Sequence, residues 1–226
     1  MTEEAKHYCG HRERLRDKFT THPEALADYE LLELLLFYVL ARRDTKPLAK
    51  ALIERFGSLR GVVLADLGDL ESMEGVGKAS SHLMTLIHEI FNRSLLGEIH
   101  EFTSIMSTSQ VLDYYKSIME QLKKEQFRVM FLSNTNKLIR ESLMQEGTIN
   151  STSIYPREII QKALNYGASA IIMVHNHPGG NPRPSRQDMI MTRTVLDVAQ
   201  KLDIALLDHL IIGKNTHVSL KDGGII

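Results

Sequence analysis

An apolar run, Ala170-Ile171-Ile172-Met173-Val174, leads directly into His175-Asn176-His177-Pro178. A short run of this kind reads as a buried strand. Side chains two apart on a strand share a face, so His175 and His177 can aim both imidazoles at one point beyond its end. The loop that follows, Pro178-Gly179-Gly180-Asn181-Pro182-Arg183-Pro184, is dense in turn formers. Ser185 then opens a helix, and Asp188 lies in its first turn, where its carboxylate can swing back to the same point. Two imidazoles and one carboxylate leave a coordination position for water, as in a catalytic rather than a closed structural zinc site.

Each half of this pattern has an ordinary reading. Ser-x-x-Asp is a common helix cap, and His-x-His can lie on a solvated strand. Joined across a turn-rich loop after an apolar strand, the two halves favour a metal site. The same ligand set also serves non-haem iron(II) oxygenases, but no arginine anchor for a cosubstrate stands out. The single cysteine, Cys9, excludes a disulfide framework and any multi-cysteine zinc site, while ten histidines leave imidazole as the ligand to look for. Cys9 and His11 lie close in sequence, but nothing near them completes a zinc site.

The chain has 226 residues, 43% of them hydrophobic and 24% charged, with a net charge of −1. That is ordinary globular composition and room for one large or two small domains. The N-terminal Met-Thr-Glu-Glu-Ala-Lys does not read as a signal peptide. The greasiest run, Leu31–Leu40, contains Glu33 and falls well short of the ~20 apolar residues of a spanning helix. No membrane association is expected, and a reducing cytoplasm fits.

The first hundred residues read as helical: Glu24–Leu40, Lys46–Phe56 with Gly57 as a stop, Asp66–Ser72, and Ser80–Asn92 with Leu83, Leu86, Ile87 and Ile90 on one face. His82, His88 and His100 read as helix-surface residues. From about Ser104 strands and helices interleave. The readings are a helix Val111–Gln121, strands Gln126–Ser133 and Leu138–Thr148 around a turn at 134–137, and a helix Pro156–Asn165. After the metal strand come a helix Arg186–Lys201 and strands Ile204–Ile212 and Thr216–Leu220. The reading is α/β (α+β), with domains at 1–98 and 104–226.

His175-x-His177-Pro178 followed by Ser185-x-x-Asp188 resembles the metal motif of the JAMM (JAB/MPN) metalloprotease class. The flanks Tyr155-Pro156-Arg157-Glu158-Ile159, Val174–Pro182 and Leu207-Asp208-His209 resemble the RadC family. The resemblance covers 104–226 closely and 10–93 more loosely. It implies an MPN/cytidine-deaminase-like mixed sheet flanked by helices, preceded by a small helical domain. It implies one zinc per chain on His175, His177 and Asp188, and a protein or peptide substrate cut at a peptide or isopeptide bond. In that class a glutamate that does not bind the metal serves as base from beside the first strand; Glu125 matches that place, against Glu120, Glu141 and Glu146 as rivals. Ser185 would stabilise the oxyanion or orient the water. Asp208 is a candidate to buttress a ligand imidazole, with a structural role at the strand end as the alternative. Arg157 can serve either substrate or solvent.

Gly75-Val76-Gly77-Lys78, between two short helices, resembles a helix-hairpin-helix, in which backbone N–H groups approach a phosphate. Gly75, Gly77 and Lys78 are therefore candidate DNA contacts, and RadC carries an association with DNA repair. The alternative function is a DNA-binding protein whose metal domain is regulatory or acts on a protein partner. Against strong DNA binding, Glu74 stands where the motif commonly has Pro. Residues 1–100 also hold 13 Lys and Arg against 16 Asp and Glu, a net charge of −3. Non-specific affinity for DNA comes mostly from basic residues, so any contact should be weak. The basic Arg12-x-Arg14-x-Arg16 keeps it open.

Overall fold

The computed structural model describes residues 3–41, 43–101, 108–147 and 155–226. The chain divides into two compact units, Met1–Phe91 and Asn92–Ile226. The expected end of the second strand at Thr148 and the part of the expected domain boundary at 102–104 lie outside the described residues, as does the side chain of His100.

The first unit is helical: α1 (Glu3–Thr21), α2 (Asp28–Leu36), α3 (Lys46–Phe56), α4 (Leu59–Val63), α5 (Leu67–Glu71) and the first part of α6 (Lys78–Glu101). The helix expected over Glu24–Leu40 is interrupted. A 3-10 turn at Pro23–Ala25 is followed by Ala27 in extended conformation, and α2 begins only at Asp28. Beyond Leu36 the backbone tightens, with the N–H groups of Tyr38 and Val39 donating to carbonyls three residues back. Glu33, the charge inside the greasy run, is buried with its Oε1 2.8 Å from His11 Nε2. The expected apolar face of α6 also differs: Ser80, Ser81 and Met84 are buried, whereas Leu86 and Ile90 are more than half exposed. Small residues let the start of α6 approach the Leu32, Leu52 and Leu70 core closely; counting apolar residues points to the wrong side.

The second unit contains α7 (Thr108–Met119), α8 (Pro156–Asn165) and α9 (Arg186–Gln200). Its strands are β1 (Glu125–Leu132), β2 (Leu138–Gly147), β3 (Ala170–Asn176), β4 (Ala205–Gly213) and β5 (Thr216–Ser219). They form one mixed sheet in the order β2-β1-β3-β4-β5, parallel only between β3 and β4. Alternation along the strands divides the core. Met130, Leu132, Ile172 and Val174 meet Val111, Tyr115 and Met119 of α7. Phe127, Val129, Ile171 and Met173 meet Ile159 and Ala163 of α8 and Val195 and Ala199 of α9. The fold is α+β, a helical region followed by a sheet domain.

β3 is central and covered on both faces, and all seven of its residues are buried. Burying each of Ile171, Ile172, Met173 and Val174 contributes about 1.5–3 kcal/mol before entropy is counted. His175 therefore emerges from the most firmly held strand of the sheet.

Candidate metal centre

His175 lies on the same face of β3 as Ile171 and Met173, the side covered by α8 and α9. His177 follows two residues on, where its N–H donates to the Ile212 carbonyl at 2.8 Å and prolongs the pairing with β4. The chain then turns back, with Gly180 N–H donating to the His177 carbonyl and Gly180 itself at φ +84°. The returning loop lies against Gly213, where a Cβ would stand 2.3 Å from the Gly180 carbonyl oxygen and 2.8 Å from Pro182. Only glycine admits so close an approach of backbone to backbone.

Ser185 and Asp188 form a reciprocal cap on α9. Ser185 Oγ accepts from Asp188 N–H at 3.1 Å, and Asp188 Oδ2 accepts from Ser185 N–H at 2.7 Å. Such a cap contributes about 1 kcal/mol. It also turns the Asp188 carboxylate back over the helix start toward the histidines. Oδ1 stands 3.5 Å from His175 Nε2, and Oδ2 stands 3.6 Å from His177 Nε2. The two Nε2 atoms are 3.0 Å apart. One ligand atom from each of the three residues lies within 4.8 Å of the other two.

This arrangement suits a cation. His177 Nδ1 faces the Asn181 carbonyl at 2.9 Å, which can only accept, so Nδ1 carries the hydrogen and Nε2 of the neutral ring is a bare lone pair. Lone pairs and a carboxylate converging this closely need a proton or a metal between them. The charges respond accordingly. Hydrogen bonding to Asp188 raises the His177 pKa against the effect of its half burial, with smaller help from Asn181, the Asp188 charge and Glu125. Burial pushes the Asp188 carboxyl upward, but the facing His175 and His177 imidazoles outweigh it and hold the group below the usual carboxylate range.

Glu125 opens β1 and is half-buried. Phe127 pairs with His175 in the antiparallel ladder, so Glu125 falls opposite His177 and on the same face. Its charge bears on His177, yet it is outside the cluster of candidate ligand atoms. Asn176, buried between the two histidines, secures it. Asn176 Oδ1 accepts from Gln126 N–H at 2.8 Å, and its Nδ2 donates to the Lys124 carbonyl at 3.1 Å, so one carboxamide grips the backbone on both sides of Glu125. The rival carboxylates are engaged elsewhere: Glu120 with Asn215 N–H, Glu141 with Arg128 and Tyr114, Glu146 with Gln126.

Asp208 does not buttress a ligand. Its Oδ1 accepts from the N–H groups of His209 and Lys221, and its Oδ2 accepts from Ser219 Oγ, fastening β5 and the turn after it. His209 stands in the place considered for it, with Nε2 2.8 Å from His175 Nδ1 and Nδ1 2.6 Å from Thr192 Oγ1. The cause is a bulge. The parallel register of β3 and β4 shifts between Ile171 and Ile172, pairing Leu206 with Ile171 but Asp208 with Ile172. The extra residue reverses the alternation and brings His209 onto the face that carries His175. Phe127 closes the group, stacked on His175 with centroids 5.8 Å apart and edge-on to His209 at 5.6 Å. Full burial lowers the His209 pKa well below the ordinary imidazole value, with the neighbouring His175 adding to it. Arg157, at the start of α8, lies over the Tyr155 ring at 4.8 Å and is exposed.

In the first unit, Gly75 has φ +91° and its carbonyl accepts from Arg43 at 3.4 Å. The Gly77 carbonyl accepts from Ser80 and Ser81 N–H, so Gly77 caps α6 and Lys78 is its first residue.

The ligand cluster, its loop and the sheet that carries them fall within residues 105–225, which match the family model described as RadC-like JAB domain. The match spans more than half of the chain, and the chain belongs to the RadC-like JAB domain family.

Proposed function

We propose that this protein is a zinc-dependent hydrolase that cleaves a peptide or isopeptide bond in a protein or peptide substrate. The observation that carries the reading is the meeting of His175, His177 and Asp188 at the end of β3, with Glu125 on the adjoining strand facing the same way. Family membership favours zinc over iron(II) for this ligand set. When bound, zinc supplies a water acidified from about 15.7 toward about 7 and polarises the substrate carbonyl.

The protein's own groups supply the rest. Glu125 takes the proton of the attacking water and returns it to the departing amine. Ser185 Oγ accepts from Asp188 N–H within the cap; its own hydrogen is left to donate to the developing oxyanion, so capping and catalysis use different parts of one hydroxyl. In this reading Arg157, exposed at the start of α8, is the side chain that can meet substrate. No helix among the described residues is long and apolar enough to cross a membrane, and the working compartment in this reading is the cytoplasm. The test is an unbiased peptide-cleavage screen on the full chain. Cleavage should appear with zinc, vanish on chelation and return on zinc addition; cleavage indifferent to chelation would remove the reading.

A second reading, DNA contact through the first unit, is favoured by Gly75 at positive φ and by Gly77 at the cap of α6 with open space over it. Glu71 and Glu74 beside Lys78 oppose it. The full chain should bind duplex DNA poorly at physiological salt. Tight binding that weakens with salt and falls on Lys78→Glu would promote this reading.

A further inference from the structure

We infer that Thr192 and His209 act as positioning residues that select the tautomer of His175 able to bind metal. The inference rests on the metal-site reading above and extends it to two residues that touch no metal.

The relay starts on α9. Thr192 Oγ1 donates to the Asp188 carbonyl one turn back, at 2.7 Å, which uses its only hydrogen. Toward His209 Nδ1, at 2.6 Å, the same oxygen can only accept. His209 Nδ1 must then carry the hydrogen. Its ring is fully buried with no carboxylate in contact, so it is neutral and Nε2 is left as an acceptor. Against that acceptor, at 2.8 Å, His175 Nδ1 must in turn be the N–H. The remaining His175 nitrogen, Nε2, is therefore a bare lone pair, and it is the atom that faces His177 and Asp188.

With the Thr192 hydrogen on the Asp188 carbonyl, the direction passes from the hydroxyl through both rings. The chain of bonds also closes on itself. It begins at the Asp188 backbone and ends beside the Asp188 carboxylate, so one residue anchors both the relay and the site. His177 reaches the same state by a shorter route, its Nδ1–H held by the Asn181 carbonyl. The two histidines are thus set by different means, and only His175 depends on side chains that another residue could replace. Phe127, packed on both rings, keeps water from competing for these bonds.

Thr192→Val is nearly isosteric and removes the acceptor. His209 then has no reason to keep its hydrogen on Nδ1. Its alternative tautomer donates to His175 Nδ1 and moves the His175 hydrogen onto Nε2, where it blocks the metal. Partners of this kind typically change metal affinity about 10–100-fold. Nitrogen-15 NMR of the full chain before zinc is added should show His175 and His209 with hydrogen on Nδ1 and bare Nε2. Thr192→Val should shift His175 toward the Nε2–H form and weaken zinc binding, read by chelator competition, about tenfold or more. Thr192→Ser, which keeps the hydroxyl, should restore both. His209→Phe keeps a ring of similar shape, removes the acceptor and should weaken zinc comparably, so the inference does not depend on one variant folding.

An unchanged His175 tautomer in Thr192→Val together with zinc affinity within about twofold of wild type would overturn the inference. Because the NMR readout needs no metal, the two layers fail separately. The stated tautomers without any zinc binding would sink the metal reading and leave the relay standing. Tight zinc binding with Nε2–H on His175 beforehand would sink the relay alone.

Discussion

A chain carrying both His175→Ala and His177→Ala should lose its zinc entirely while the first unit stays folded. The two imidazoles supply two of the three ligand atoms that the structure brings together, and Asp188 alone cannot hold the ion. Losses should appear in the second unit. His175 is buried and stacked on Phe127, and its removal opens space beside a packed ring. The core of Leu32, Leu52, Leu70 and Met84 belongs to the other unit and contains neither histidine. Metal content by mass spectrometry, with helical circular dichroism on the same sample, reads both halves. Full zinc occupancy in the double variant would place the metal elsewhere.

Glu125→Gln should keep the zinc and abolish hydrolysis. A positioned general base contributes about 10²–10⁴-fold, and an amide in its place can orient a water but cannot take its proton. The substitution preserves shape, and the bonds that hold this stretch run through the backbones of Lys124 and Gln126 to Asn176, not through the carboxylate. The local strand should therefore survive. Unchanged cleavage by Glu125→Gln would assign the proton transfer to another group.

The cluster of candidate ligands was legible because it depends on short-range rules. An apolar run, a two-residue spacing, a turn-rich loop and an N-cap pattern each leave a local signature, and together they placed His175, His177 and Asp188. The position of Glu125 opposite His177 was to be expected only through family resemblance, since 50 residues separate it from His175 and the antiparallel register of β1 on β3 unites them. His209 was hidden by the bulge in β4. Strict alternation from Leu206 puts Asp208 on the face that carries His175, and one inserted residue exchanges the two. Thr192 was hidden by its ordinariness, a hydroxyl in mid-helix bonded one turn back. The misjudged face of α6 has the same root: small residues at Ser80 and Ser81 mark close packing, and hydrophobic counting cannot see it.

The metal content of the untagged wild-type chain, measured after dialysis against metal-free buffer, tests the zinc site most directly. About one zinc per chain is expected, as an open site of two imidazoles and a carboxylate requires. A chain free of zinc after growth and purification in its presence, or one holding stoichiometric iron, would contradict it.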